Sequence, residues 1–281
     1  MQIGIRALDE SLNLQKKKQP LIHCISNSNF FRNLEESVIN YNGNPIISSS
    51  LEEYEKITSK AKSLIITLDD LNEDKIEAIE KSIRIARRKD IPIVMDILGV
   101  NVSFLSKEIV LRFINRYNIN IVIGKLEEFK VLILKKDKLK ERISSNYKIK
   151  EDLELRRNLR NFSKLNRTIL LVKSNEYYLT DGFSEFYIER YIGENNTFLE
   201  FESILTGMIS VGVAAASNAE ESFKGVLVAI IAMAVSVKIA EQKSLIYSKD
   251  INLMEYLLEE IKNINADKLN KLQKVNYLFK R

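Results

Sequence analysis

Two carboxylates stand where an α/β chain could do chemistry. Asp96 closes the apolar run from Ile91 to Met95, and Glu128 follows shortly after the run from Ile119 to Gly124. Both fall just beyond candidate strand ends, the place where open α/β sheets hold ligands. On sequence grounds alone, Asp96 reads equally as a cap or turn residue, and Glu128 as an acid in the favourable first turn of a helix. Two lysines, Lys125 and Lys173, close neighbouring strand runs, where a lysine is most simply read as solvated. His23 is the only histidine and Cys24, beside it, the only cysteine. Imidazole titrates near neutrality, but a hydrogen-bonded structural role is the plainer reading for His23, with contact to a substrate or neighbouring subunit as the other. Cys24 has no visible activating partner and reads as a small buried apolar residue.

Bulk properties bound what these residues can serve. The 281 residues are enough for one large α/β domain with its own core. A single cysteine excludes an intramolecular disulfide and a cysteine-based zinc cluster, and suits a reducing cytosol. The N-terminus lacks the apolar stretch of a signal peptide, and the apolar run Val226 to Val237 is shorter than a membrane span. A soluble, cytoplasmic protein is expected. Forty-three basic residues face 38 acidic ones for a net charge of +5, and the signs are interleaved rather than blocked. The densest basic segment, Lys135 to Arg142, contains two acids and lacks the aromatics that stack bases, which argues against a nucleic-acid groove.

The elements that must position the candidates follow from hydrophobic patterning. Short branched runs alternate with amphipathic stretches, the pattern of a mostly parallel sheet covered by helices. Strands are expected at Pro45 to Ser48, Ser63 to Leu68, Ile91 to Asp96, Ile119 to Gly124 and Thr168 to Lys173. Helices are expected at Asp74 to Arg88, capped by Asn72, and at Ser106 to Tyr117, Leu126 to Leu134 and Lys150 to Leu165, the last with Leu153, Leu159 and Phe162 facing inward. Asp181-Gly182 between Tyr177 to Thr180 and Glu185 to Glu189 predicts an antiparallel hairpin at the sheet edge. Thr206 to Asn218 and Ser222 to Ala240 read as apolar helices, the second buried against other helices or a neighbouring subunit. No repeat or linker divides the chain, so residues 1–281 form one domain.

Pro20-Leu-Ile-His-Cys-Ile-Ser-Asn27, followed after a helical stretch by Asn42-Gly-Asn-Pro45, resembles the N-terminal signature of hydroxyethylthiazole kinases, thiamin-salvage enzymes that phosphorylate a thiazole alcohol. The likeness continues through Ile-Val-Met-Asp96-Ile-Leu-Gly99, where the family has a strand ending in Asp-Pro-Val-Gly, and Ile123-Gly-Lys-Leu-Glu-Glu128, where it has Arg-Gly-Asn and a glutamate. Thr180-Asp-Gly182 is similar to its hairpin, and Thr206-Gly-Met-Ile-Ser210 to the helix start it uses as an anion hole. The resemblance implies a ribokinase-like three-layer α/β/α fold with a mostly parallel central sheet, ATP and magnesium as cofactors, and a homotrimer with sites between subunits. It assigns magnesium to Asp96 and Glu128, the nucleotide to Lys125, Lys173 and Thr206, and the substrate to Gly207 and Ile47, for which a core role is an equal reading.

Such a kinase needs a base beside the substrate hydroxyl, N–H groups around the transferring phosphate, and cations on the nucleotide. The resemblance also shows gaps. The family's base position, a cysteine in Gly-Thr-Gly-Cys, falls at Met208 or, in the other register, at Gly207, and neither accepts a proton. Glu200 and Glu202 lie upstream as replacements only if the loop is rearranged. The first glycine is replaced by Leu205 or Ile204, the arginine of the nucleotide grip by Ile123, its asparagine by Lys125, and a threonine after the fifth strand by Lys173. Three readings follow: an active thiazole-alcohol kinase, a member that keeps the fold but transfers phosphate slowly or not at all, and a basic polyanion-binding module. The substitutions favour the second.

Overall fold

The structure, a computed structural model, describes residues 3–26, 28–47, 50–68, 71–134, 148–190, 202–246 and 252–279. Its centre is a nine-stranded sheet. In chain order the strands are β1 (Leu21–Ile25), β2 (Asn44–Ile47), β3 (Ser63–Thr67), β4 (Ile93–Asp96), β5 (Ile121–Lys125), β6 (Ile169–Lys173), β7 (Glu176–Thr180), β8 (Glu185–Glu189) and β9 (Val275–Phe279). They lie side by side as β2-β1-β3-β4-β5-β6-β7-β8-β9. The first six run parallel, and the last three are antiparallel to their neighbours.

Parallel strands buried on both faces need apolar residues at every position, and the two parities feed two cores. Ile22, Cys24, Ile65, Val94, Ile123 and Leu171 point into one core, closed by α1 (Ile5–Lys18), α2 (Ser28–Asn40), α8 (Glu202–Ala215), α9 (Ala219–Ile246), α10 (Leu253–Lys262) and α11 (Ala266–Leu272). Leu64, Ile66, Met95, Val122 and Val172 point into the other, under α3 (Tyr54–Thr58), α4 (Glu73–Arg88), α5 (Phe104–Tyr117), α6 (Leu126–Ile133) and α7 (Leu153–Asn166). The result is the expected three-layer α/β/α arrangement.

Local chemistry explains most boundaries. Asn72 caps α4 as predicted, its side chain accepting from the Lys75 N–H at 2.8 Å. Asp181 Oδ1 accepts from the N–H groups of Phe183 and Ser184 at 2.9 and 2.6 Å, which closes the β7–β8 turn. That hairpin is not the sheet edge, because β9 pairs with β8 beyond it. On α7 the inward residues are Leu155 and Leu159, with Phe162 partly buried against the same core, whereas Leu153, opening the helix behind the Asp152 cap, is 69% exposed. α9 is long and apolar enough to cross a membrane, yet most of it is buried inside the fold, which is why it is apolar on nearly every side.

Candidate functional site

Parity places the site. Asp96, Ile123 and Leu171 are in register across β4, β5 and β6, and Val94, Ile123 and Leu171 face the α8 side of the sheet. Two residues on along each strand the side chain returns to the same face, so Asp96 and Lys173 also face α8, at the C-terminal end of the parallel strands. Lys173 reaches past β5 to put its Nζ 3.4 Å from Asp96 Oδ2, and Thr206 of α8 donates its hydroxyl to the same oxygen at 2.9 Å. The remaining Asp96 oxygen accepts the Leu98 N–H at 3.1 Å. All three side chains are buried.

Glu128 sits beside this knot in the first turn of α6. One carboxylate oxygen accepts the Gly99 N–H at 2.7 Å and the other the N–H of Lys125, the residue that starts the helix, at 2.7 Å. Gly99 has φ +84°, a left-handed conformation that suits glycine, and this turn folds the loop after β4 over both acids. Burial pushes the Glu128 carboxyl up to about 7; the two N–H bonds and Lys173 pull it down, and neighbouring Asp96 pushes it further up. Four sequence candidates, Asp96, Glu128, Lys173 and Thr206, are therefore brought together, and the backbone of Lys125 joins them.

The remaining candidates lie elsewhere or in a different role. Ile47 ends β2, separated from β4 by β1 and β3, and packs against the apolar core. Gly207 was expected at a helix start, but α8 begins at Glu202. The position where the resemblance places a glycine is held by Leu205 or, in the other register, Ile204; both lie within α8 and are buried in the core. Thr206 and Gly207 then lie in the second turn, where N–H groups are committed to carbonyls one turn back rather than offered to an anion. Gly207 instead lets α2 approach: a Cβ there would meet Ser37 Oγ at 2.1 Å and the Leu34 carbonyl at 3.1 Å. Met208, Leu205 and Ile123 are each 1% exposed or less and belong to a single apolar cluster. Glu200 and the segment Lys135 to Arg142 lie outside the described residues.

The residues present do not fit a magnesium ion. Magnesium requires near-octahedral oxygen ligation, keeps several waters, and commonly binds through one or two carboxylates. Here the Lys173 ammonium stands within ion-pair distance of Asp96 and, with the Thr206 hydroxyl, takes up both lone pairs of Oδ2; the other oxygens of the two acids each accept one backbone N–H. Among the described residues no three His, Cys, Asp or Glu side chains converge as a metal site. Two cavities, of about 590 and 490 Å³, are lined by none of the predicted site residues.

His23 is fully buried on β1, with Nδ1 2.8 Å from Thr58 Oγ1 and its ring edge-on to Tyr54. Thr58 donates its own proton to the Tyr54 carbonyl at 2.8 Å, so it accepts from the imidazole and fixes the proton on Nδ1. Burial holds His23 down at about 4, a neutral structural residue. Cys24, buried on the opposite face, has its thiol pushed far above the usual range, chiefly by burial.

The Asp96–Lys173–Thr206 contact is what residue-by-residue reading missed. Lys173 stood out as a basic residue ending a buried strand, and the parity it shares with Asp96 was the available signal.

Comparison with known proteins agrees with this architecture. Residues 12–267 match the model of the hydroxyethylthiazole kinase family. The hydroxyethylthiazole kinase of Clostridium perfringens is 24% identical over 272 residues, covering 95% of this chain and all of that one. That of Finegoldia magna is 32% identical over 115 residues, a match spanning 41% of this chain and 43% of that protein. The solved hydroxyethylthiazole kinase structure from Pyrococcus horikoshii OT3 superposes with a TM-score of 0.80 at 18% identity, covering 97% of this chain and 99% of that one. The ribokinase-like expectation for the fold is borne out.

Proposed function

Because this chain belongs to the hydroxyethylthiazole kinase family, we propose that it keeps the frame of a thiazole-alcohol kinase but transfers phosphate from ATP slowly or not at all. One observation carries the reading: the positions the resemblance gives to the base (Met208 or Gly207), the first glycine (Leu205 or Ile204) and the arginine of the nucleotide grip (Ile123) hold no proton acceptor or cation, and Met208, Leu205 and Ile123 are buried in one apolar cluster. Loss of a general base alone costs about 10² to 10⁴-fold in rate. Lys173 and Thr206, assigned to the nucleotide, are turned onto Asp96 instead. ATP binding is accordingly weak on this account, and no step is assigned to magnesium. A soluble cytoplasmic protein and a homotrimer complete the proposal; light scattering on the purified protein tests the assembly.

One contact favours a second reading. Asp96 Oδ2 lies 2.9 Å from the Thr206 hydroxyl, one residue from Gly207, so a carboxylate does stand beside the expected base position. Lys173 shares that oxygen, so the lone pairs a base would use are already taken up.

The test is product formation from ATP, Mg²⁺ and hydroxyethylthiazole. Wild-type protein should give little phosphorylated thiazole, and combining Met208→Cys, Ile123→Arg and Leu205→Gly should raise it. Ready turnover by the wild type, abolished in Asp96→Asn, contradicts the proposal and supports the second reading.

A further inference from the structure

We infer that Lys173 is a built-in counter-ion: its ammonium holds the place that a divalent cation would need between Asp96 and Glu128, so the wild-type chain takes no metal there, and removing the lysine charge opens the place to one. The inference rests on the functional reading only for locating that place.

Three observations carry it. Lys173 is 3% exposed at the end of a strand whose other residues are apolar, and a buried ammonium persists only when paired. Its ammonium reaches beyond the nearest strand: Lys173 is in register with Lys125 of β5, yet its Nζ lies 3.4 Å from Asp96 on β4. The two carboxylates are otherwise organised as a small anionic centre. Glu128 carries two backbone N–H bonds, Asp96 one, with the Thr206 hydroxyl as a further donor, and the two acids are near enough for Asp96 to push the Glu128 carboxyl upward. Without Lys173, Asp96 would lose the ammonium that pairs with it while Glu128 stays buried beside it. An ammonium meets the need for a cation there as a compact point charge, and so would a hydrated divalent ion with oxygen ligands.

An ordinary structural ion pair would also bury Lys173 beside Asp96, but it makes no prediction about metals. Full-length wild type, Lys173→Thr, and Lys173→Thr with Asp96→Asn separate the two, using Mn²⁺ as the paramagnetic probe and Mg²⁺ in thermal melts. Wild type should leave the free Mn²⁺ signal undiminished and its Tm unmoved by Mg²⁺. Lys173→Thr should melt lower without metal, bind one Mn²⁺ per chain, and regain roughly 5 °C when Mg²⁺ is at a hundredfold excess over its Kd. Adding Asp96→Asn should abolish both responses. Saturable Mn²⁺ binding by the wild type that Asp96→Asn removes overturns the inference, as does a folded Lys173→Thr indifferent to metal. If Lys173→Thr does not fold, recovery of folding in Mg²⁺ supports the inference and failure to recover overturns it. A catalytically silent wild type that binds Mn²⁺ sinks this inference alone, whereas a wild type that turns over without binding Mn²⁺ sinks only the proposed loss of activity.

Discussion

Glu185 and Asp96 are both buried acids paired with cations, and they are held in different ways. Glu185, fully buried on β8, receives two branches of the Arg156 guanidinium at 3.0 and 3.1 Å and the Tyr178 hydroxyl at 3.0 Å, with Arg160 at 3.5 Å. Among the described residues Asp96 receives one ammonium at 3.4 Å, a hydroxyl at 2.9 Å and one backbone N–H at 3.1 Å. A planar fork matches a carboxylate in two bonds at once; an ammonium is a point charge on a flexible stem. Their places differ too. Glu185 pairs with Thr180, which pairs with Leu170 near the start of β6, whereas Asp96 lies at the C-terminal end of the parallel strands where α/β folds bind ligands. An acid that only ties α7 to the hairpin is met by a matched fork. The acid at the ligand end is met by a looser cation, which is what substitution of an inherited site would leave behind.

Breaking the matched pair should have the largest effect. Glu185→Ala strands Arg156 and should cost about 3–5 kcal/mol in urea unfolding; a loss below 1 kcal/mol would erase the contrast between the two centres. His23 sharpens the comparison as a buried group that is kept neutral instead of paired. The folded chain holds it near 4 against an ordinary 6.5, so its stabilising contribution is complete above pH 6.5 and is lost as pH falls through 4. That loss should reach about 3 kcal/mol, and His23→Phe should show a correspondingly shallower decline in stability between pH 6.5 and 4.

Smaller effects are expected nearer the candidate site. Lys173→Met, measured without metal, should cost about 1.5–3 kcal/mol, the range for a hydrogen bond to a charged group; a loss equal to that of Glu185→Ala would mean the two centres are held alike. Gly207→Ala should cost about 1–2 kcal/mol, because the added methyl must displace the Ser37 side chain and the Leu34 carbonyl at the α2–α8 contact. If Gly207 instead faced an open anion hole, this substitution would leave stability unchanged.

Much of the frame was legible because it is local. The alternation of branched runs and amphipathic stretches located β2 to β6, Asn72 located the start of α4, and Asp181-Gly182 located the β7–β8 turn. β1 was hidden inside a motif valued for its polar His23, and β9 comes after four helices, far along the chain from the strand it covers. The site was legible only as an inventory. Asp96 and Lys173 are 77 residues apart with a strand between them, and strand parity says that they share a face without saying that the lysine turns towards the acid. Gly207 was misplaced for a related reason: the motif suggested a helix start, while Ile204 and Leu205, free of any breaker and drawn into the core, carried the helix one turn further back.

The most direct measurement is the rate of thiazole phosphorylation by this protein beside that of the Clostridium perfringens relative under the same ATP and Mg²⁺. The buried Met208, Leu205 and Ile123 and the diverted Lys173 predict a rate lower by at least about 10²-fold. A rate within tenfold of the relative's would contradict the account.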